Sequence, residues 1–334
     1  MLKKFLADGG GCEKKVPSYF LQEILSGFPL SRSSDCSVHE MPDGTIHLSS
    51  LDFFSPMVDD AYDFGWIAAA NALSDIFSNG GSPFSALAIL AIPQSLKSKV
   101  AREILRGGFE ACESCGFSLT GGHTIYNERP LFGLAVTGTV KREFLKTNAN
   151  AKPGQLIYLS KPIGTSIATN ADQSGVLRNC TSTLLRHQLK KINNIGQELS
   201  SLSYVTSMTD VTGFGLVGHL SEVMTESGVS ASLGLPHIPV LKECRKLAED
   251  FETSGGISNW LSFQSGVTGT LSNQDRVLIS DPQTNGGILS FVNPDAKTLF
   301  ENFCISKGMS EFSIPIGEVR PPNQNSEIVI EVTE

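Results

Sequence analysis

The sequence predicts an α/β chain (α/β or α+β) of two domains, on three observations. Its 334 residues exceed the roughly 150 typical of one domain. Strand-type apolar runs alternate with helix-type ones along the chain. The alternation restarts near Lys152-Pro153-Gly154, which sets a boundary close to residue 150. The expected division is an arm over 1–16, an N-terminal domain over 17–150 and a C-terminal α/β domain over 151–334.

Residues 1–16 are Gly- and Lys-rich and read as a mobile arm. In 17–28 the spacing of Phe20, Leu21, Ile24 and Leu25 suits a short helix, with Gly27 near its end. Residues 29–44 are polar and turn-rich. Residues 46–52 predict a strand ending in an acid. Residues 61–79 predict an Ala-rich helix stopped by Asn79-Gly80-Gly81. A buried strand over 84–92 is closed by Pro93, and a second helix covers 97–115. Gly121-Gly122-His123 reads as a turn before a strand over 131–140. Beyond the boundary, strands are expected at 156–160, 204–208, 277–279 and 288–292, and helices around 181–202 and 215–227. The Ser-, Gly-, Asn- and Gln-rich stretch 252–275 reads as a long loop.

Hydrophobic residues make up 40% and charged residues 18%, enough for a sizeable core and too little charge for a disordered chain. The net charge of -8 argues against nucleic-acid binding, which needs a positive field. The longest apolar run, 86–92, is far short of the roughly 20 residues of a membrane-spanning helix. No apolar stretch of signal-peptide length opens the chain, so a soluble cytoplasmic protein is expected. Seven cysteines, an odd count, read as reduced thiols.

A P-loop is excluded, because Gly-x-x-x-x-Gly-Lys-Ser/Thr does not occur. Gly213-Phe-Gly215-Leu-Val-Gly218 has the form Gly-x-Gly-x-x-Gly. A dinucleotide site also wants an acid roughly 20 residues on, where Ala231-Ser-Leu-Gly-Leu supplies none. Asp35, Asp52, Asp59, Asp60, Asp75 and Asp210 recur at the ends of predicted elements. Carboxylates on separate elements suit Mg²⁺ with bound nucleotide, since Mg²⁺ takes hard oxygen ligands and keeps phosphate oxygens in its shell. Asn71 and Asp75 share a helix face whose alanines leave room for a polyphosphate; solvated helix polarity is the competing reading.

Cys12 follows three glycines and precedes Glu13-Lys14-Lys15, where a mobile thiol beside lysines would have a lowered pKa. An incidental exposed cysteine is the alternative, less common because Cys favours burial. Cys112 and Cys115 lack matching partners for zinc and read as packing residues. His123 sits where backbone N–H groups could meet phosphate, and His219 reads as a packing histidine.

Leu51-Asp52-Phe53-Phe54, Val58-Asp59, Phe64-Gly65, Asn71-Ala-Leu-Ser-Asp75, Gly80-Gly81, Gly121-Gly122-His123, Thr209-Asp210-Val211-Thr212-Gly213-Phe214-Gly215 and Asp281-Pro-Gln-Thr-Asn285-Gly-Gly together resemble the signature set of the selenophosphate synthetase (selenide, water dikinase) family. The resemblance runs in order from about Gly9 to near the C-terminus. Its Asp-x-x-Gly turns occur across the wider aminoimidazole-ribonucleotide-synthetase-like superfamily. The Asp-Phe-Phe block and the Gly-Cys arm are more specific.

The resemblance implies that ATP, selenide and water give selenophosphate, AMP and phosphate. It implies a homodimer whose N-terminal domains share a β-barrel, each flanked by a C-terminal α/β domain. By the same resemblance, Cys12 is the catalytic thiol and Lys15 contacts phosphate. Asp35, Asp75 and Asp210 hold Mg²⁺, with Asp75 also at the nucleotide, and Asp52 binds ATP. Arg32, Ser33 and Ser34 lie along the nucleotide, as do Gly122, His123 and Thr124, which reach the partner's site. Two rivals are another ATP-using enzyme of the superfamily, such as a thiamine-monophosphate kinase, and a catalytically impaired nucleotide-binding regulator. Cys12 in its arm argues against the first, and intact Cys12, Lys15 and metal aspartates against the second.

The chain departs from the family pattern at four places. The arm Gly-Cys-Gly-Cys/Ser-Lys reads Gly11-Cys12-Glu13-Lys14-Lys15. Arg-Asp-Asp reads Ser33-Ser34-Asp35, losing two charges. Glu-Pro reads Arg129-Pro130, and the Gly-Gly-Thr-x-Arg-Asn loop reads Gly255-Gly256-Ile257-Ser258-Asn259-Trp260, without arginine.

Overall fold

The structure is a computed structural model that describes residues 2–6, 10–28, 35–323 and 329–333. In its first part, α1 (Ser18–Ile24) and β1 (Ser37–Glu40) precede β2 (Ile46–Phe54), α2 (Ala61–Ser78), β3 (Ser82–Ile92), α3 (Ser98–Ser114), β4 (Leu119–Tyr126) and β5 (Leu131–Val140). Among the described residues the strands run β1-β2-β5-β3-β4, antiparallel except for the β3–β4 pair at the edge. Side chains alternate along β2, so Ile46, Leu48, Ser50, Asp52 and Phe54 share a face. The α2 helix covers that face, and Ile46, Leu48 and Phe54 are buried beneath it.

Helix α2 forms because the Asp60 side chain accepts the Asp63 N–H at 2.8 Å and a run of alanines follows. Ala68, Ala69 and Ala70 are fully buried. A methyl group on Gly65 would lie 1.9 Å from the Ile104 carbonyl oxygen, and one on Gly107 2.1 Å from that of Tyr62. Helices α2 and α3 therefore touch backbone to backbone. Gly65→Ala should lower stability by about 2 kcal/mol or more, because overpacking a close contact outweighs the gain in helix propensity. Urea unfolding measures this; an unchanged midpoint would show that the helices part freely.

The second part holds β6 (Leu156–Leu159), α4 (Thr165–Gln173), α5 (Asn179–Lys190), α6 (Ile195–Ser201), β7 (Val205–Asp210), α7 (Gly215–Ser227) and β8 (Ser230–Gly234). It continues with α8 (Cys244–Leu247), α9 (Ser254–Phe263), β9 (Val267–Gly269), α10 (Asn273–Ser280), β10 (Ile288–Val292), α11 (Lys297–Ser306), β11 (Gly317–Arg320) and β12 (Ile330–Thr333). Its sheet order is β7-β10-β6-β11-β8-β12-β9, antiparallel except where β12 runs parallel to β8 and β9. Apolar contact is continuous from α2 and the first sheet to Ile167, Leu185 and Val211 of the second part. Among the described residues no helix is long and apolar enough to cross a membrane.

Several elements differ from the sequence expectation. The expected strand at 277–279 lies inside α10, because an apolar triplet does not distinguish strand from helix and Ser272 caps the helix by accepting the Asp275 N–H. The expected loop over 252–275 holds α9 and β9; Thr253 caps α9 by accepting the Gly256 N–H. The helical stretch 181–202 is two helices, and α4 adds an unexpected third. Gly121-Gly122-His123 belongs to strand β4, not to a turn. A side chain at Gly122 would meet the Ala88 carbonyl oxygen at 2.2 Å, so glycine there serves close strand approach. Part of the turn-rich 29–44 forms β1, and residues 29–34 lie outside the described residues.

Candidate active site

A cavity of about 580 Å³ lies where the two parts meet, lined by Lys15, Asp35, Asp52, Asp75, Asp210 and His219 among others. That size is within the range of small-molecule sites. The alternation of β2 delivers Ser50 and Asp52 to it, and the helical period of α2 delivers Asn71 and Asp75. The end of β7 supplies Asp210, and the segment before β1 supplies Asp35. Asn71 Nδ2 donates to Asp52 Oδ2 at 2.7 Å, and the Ser50 hydroxyl donates to Asp75. Asp35 accepts from the Thr209 hydroxyl at 2.9 Å, the Ser78 hydroxyl at 3.2 Å and Asn148 Nδ2 at 3.4 Å.

Burial, and then mutual repulsion, governs these carboxylates. Burial pushes Asp75 well above the usual range, with Asp52, Asp210 and Asp35 adding to the rise. Asp210 is pushed up to about 6 by burial and then by Asp35, against a hydrogen bond from Ser74. Burial also raises Asp35 and Asp52, partly offset by His219 and Lys15 respectively. Among the described residues no three His, Cys, Asp or Glu side chains form a ready-made metal cage. The carboxylates instead take hydrogen bonds from neighbours, yet the buried Asp210 Oδ2 finds no partner. An orphaned anionic oxygen among hard oxygen donors fits a divalent cation such as Mg²⁺.

The sign of the pH dependence follows. Between the unfolded value of about 3.9 and the raised folded values, the folded state binds more protons. Stability without metal should therefore fall as pH rises through that window, completing above pH 6 for Asp210. Thermal unfolding in chelator should give a lower midpoint at pH 7.5 than at pH 5, and Mg²⁺ should raise it more at pH 7.5. A midpoint indifferent to both would mean that the carboxylates do not repel.

The arm is docked in this structure. The Gly11 N–H donates to the Ser55 carbonyl at 3.0 Å, and the Cys12 N–H donates to Thr284 Oγ1 at 3.1 Å. Cys12 Sγ donates to Asn71 Oδ1 at 3.4 Å. Gly11 has φ +66°, and a methyl group on it would lie 2.5 Å from Thr284 Oγ1. The glycine here serves a left-handed turn and a close approach. Lys15 lines the cavity and is exposed to it, with its Nζ 4.4 Å from the Phe214 ring centre. Burial pulls its pKa down, but Asp52, Glu222, Cys12 and Asp75 together outweigh that and raise it.

The lowered pKa expected for Cys12 in a free arm does not carry over to the docked arm. Burial first, and Asp52 second, raise the thiol pKa, and Lys15 offsets only part. In the docked arm these influences favour the protonated thiol. Lys14 points outward and pairs with Glu13 at 3.8 Å, away from the carboxylates.

Of the site residues expected from sequence, Cys12, Lys15, Asp35, Asp52, Asp75 and Asp210 come together. Arg32, Ser33 and Ser34 lie outside the described residues. Gly122, His123 and Thr124 are exposed on the edge strand β4, remote in the sheet from β2, and do not line this chain's cavity. Asp60 caps α2, and Asp59 accepts the Lys3 N–H at 2.7 Å, so both are structural. Cys112 and Cys115 pack on the core as expected. His219 is buried, with Nε2 3.2 Å from Thr212 Oγ1, and it also lines the cavity. Sequence reasoning missed Ser50 and Asn148, which carry no local signal. Thr209, Thr284 and Asn285 lay within motifs but had no role.

Residues 33–140 match the AIR synthase related protein, N-terminal domain family, and residues 152–329 its C-terminal domain family. The chain is 39% identical to a selenide, water dikinase of Haemophilus influenzae, over 90% of this chain and 86% of that one. It is 39% identical to one of Yersinia pseudotuberculosis, over 93% and 92%. Among solved structures, thiamine monophosphate kinase from Aquifex aeolicus superposes with a TM-score of 0.69 at 16% identity, covering 94% of each chain. HypE from E. coli superposes with a TM-score of 0.67 at 14% identity, covering 95% and 92%. Those two likenesses are of fold alone. Sequence identity over nearly the full length is what separates the chain from them: it belongs to the selenide, water dikinase family, on a two-domain AIR synthase-related fold.

Proposed function

We propose that the chain converts ATP, selenide and water into selenophosphate, AMP and phosphate. The observation that carries this reading is a thiol, Cys12, held at the edge of a cavity walled by four aspartates. Release of AMP leaves two phosphoryl groups, one transferred to selenium and the other to water. Lys15 meets the phosphates, and Asp52 and Asp75 orient the nucleotide. Asp35, Asp75 and Asp210 are the residues that would hold Mg²⁺. When bound, the ion supplies charge neutralisation at the transferring oxygens. Docking of the arm at Gly11 and Cys12 between the 17–150 and 151–334 domains keeps the Cys12 proton on Sγ. Its release exposes the thiol to selenide.

The reading includes a homodimer in the cytoplasm. Leu51, Phe53, Phe84 and Leu87 of the first sheet are each about half exposed, an apolar face of the kind that pairs with a second copy. That pairing would bring Gly122, His123 and Thr124 to the partner's nucleotide. The deciding experiment is an anaerobic assay with ATP, Mg²⁺ and selenide that resolves the nucleotide products. Selenide-dependent AMP is the expected result; ADP as the only stable product would sink the dikinase reading.

A further inference from the structure

A second, smaller cavity of about 160 Å³ is lined by Lys161, Lys191, Asn193 and Lys307 among others. Lys161 follows β6 and is 1% exposed. Its Nζ donates to the Lys191 carbonyl at 2.6 Å and to the Asn285 carbonyl at 2.9 Å. An amine has two N–H donors for these carbonyls in either protonation state.

Asn285 is held unusually. It has φ +49°, rare for a residue with a side chain. Its Nδ2 donates to the carbonyls of Leu189 at 2.7 Å and Lys191 at 2.9 Å. Its backbone N–H donates to Asn71 Oδ1 at 2.7 Å. That same Oδ1 accepts from Cys12 Sγ, while Asn71 Nδ2 donates to Asp52. An amide side chain with both ends engaged cannot rotate without breaking both sets of bonds. Whatever fixes the Asn285 N–H therefore fixes Asn71, and with it the thiol and one carboxylate.

We propose that Lys161 is a positioning residue of the thiol centre, tying the Asn285 and Lys191 carbonyls together so that the Asn285 N–H holds Asn71 against Cys12 and Asp52. Lys161 touches neither. A strained backbone turn needs surrounding structure to over-determine it, and Lys161 adds a tie at the Asn285 carbonyl to those that Asn71 makes at its N–H and Asn193 at the Gly286 carbonyl. This rests on the reading of Cys12 as the reacting thiol, so one measurement is independent of turnover.

The test is Lys161→Ala, read by two assays and by thermal unfolding. Loss of the tie should lower kcat for AMP formation about 10- to 100-fold, as for a misplaced group, with the KM for ATP changed less than about 3-fold. Alkylation of Cys12 by iodoacetamide, which needs no substrate, should become several-fold faster as Asn71 loosens. Propylammonium should restore both, because its N–H donors can occupy the space left by the side chain. The smaller cavity also presents Asn193, whose buried Oδ1 lacks a partner. Tetramethylammonium at equal ionic strength, with no N–H, should restore neither.

An unchanged alkylation rate in folded Lys161→Ala overturns the proposal, as does equal rescue by the two cations. If Lys161→Ala does not fold, Asn285→Gly carries the test. Glycine tolerates φ +49° but lacks the two side-chain anchors, so the turn should loosen and Cys12 should label faster. Wild-type labelling and kcat in that variant overturn the relay. Should the wild type make no selenophosphate, the labelling results still decide the relay, and only the reaction assignment fails.

Discussion

Asp210→Asn should abolish turnover, by at least about 10³-fold, while raising the metal-free thermal midpoint at pH 7.5. Both effects come from one atom. Asp210 Oδ2 is buried without a partner, so in catalysis its free lone pairs are what a divalent cation would take. Losing an anionic ligand removes several kcal/mol of charge stabilisation. Without metal, the same oxygen is a cost. Burial and the charge of Asp35 push Asp210 up to about 6, so at pH 7.5 its ionised form opposes folding. The amide removes that charge. Asp75→Asn should behave alike, since Asp52, Asp210 and Asp35 all repel it. Near-normal activity in either variant would mean that the metal is held elsewhere; a falling midpoint would mean that these carboxylates are structural.

Cys12→Ala should lose selenophosphate formation entirely and keep nucleotide affinity within about 3-fold. The aspartates belong to other elements, and the arm keeps its backbone bonds to Ser55 and Thr284 without the thiol. Lys15→Ala should weaken nucleotide affinity and rate together. Lys14 does not stand in for it, because it points away and pairs with Glu13. Nucleotide titration and product assays on the two variants separate these roles. Full synthesis by Cys12→Ala would show that the nucleophile's partner is another group.

What the sequence made legible is what local spacing encodes. Helix α7 and strand β10 fall at the residues expected, because each is a periodic or apolar run bounded by turn residues. Helix α2 differs by a single residue at its end. The cavity's aspartates were legible as a group because they recur at predicted element ends, and the family resemblance singled out Asp35, Asp75 and Asp210 among them. Helix α9 was hidden because its apolar residues are diluted by Ser, Gly and Asn. The docked thiol's raised pKa was not legible in the sequence, for a deeper reason. Lys14 and Lys15 are neighbours in sequence, but Asp52 and burial act through space. Lys161 and Asn285 join through β6 and the turn before β10, a contact 124 positions apart that no spacing rule announces.

The burial of α2 has a consequence for how the protein ages and fails. The helix that carries Asn71 and Asp75 has Ala68, Ala69, Ala70 and Ile76 wholly enclosed and a backbone seam with α3. Its amide hydrogens should exchange with solvent chiefly through global opening. Heat or denaturant therefore leaves no partly melted form that retains a working carboxylate cluster. Loss of catalysis and global unfolding should therefore coincide in a denaturant titration followed by both activity and fluorescence.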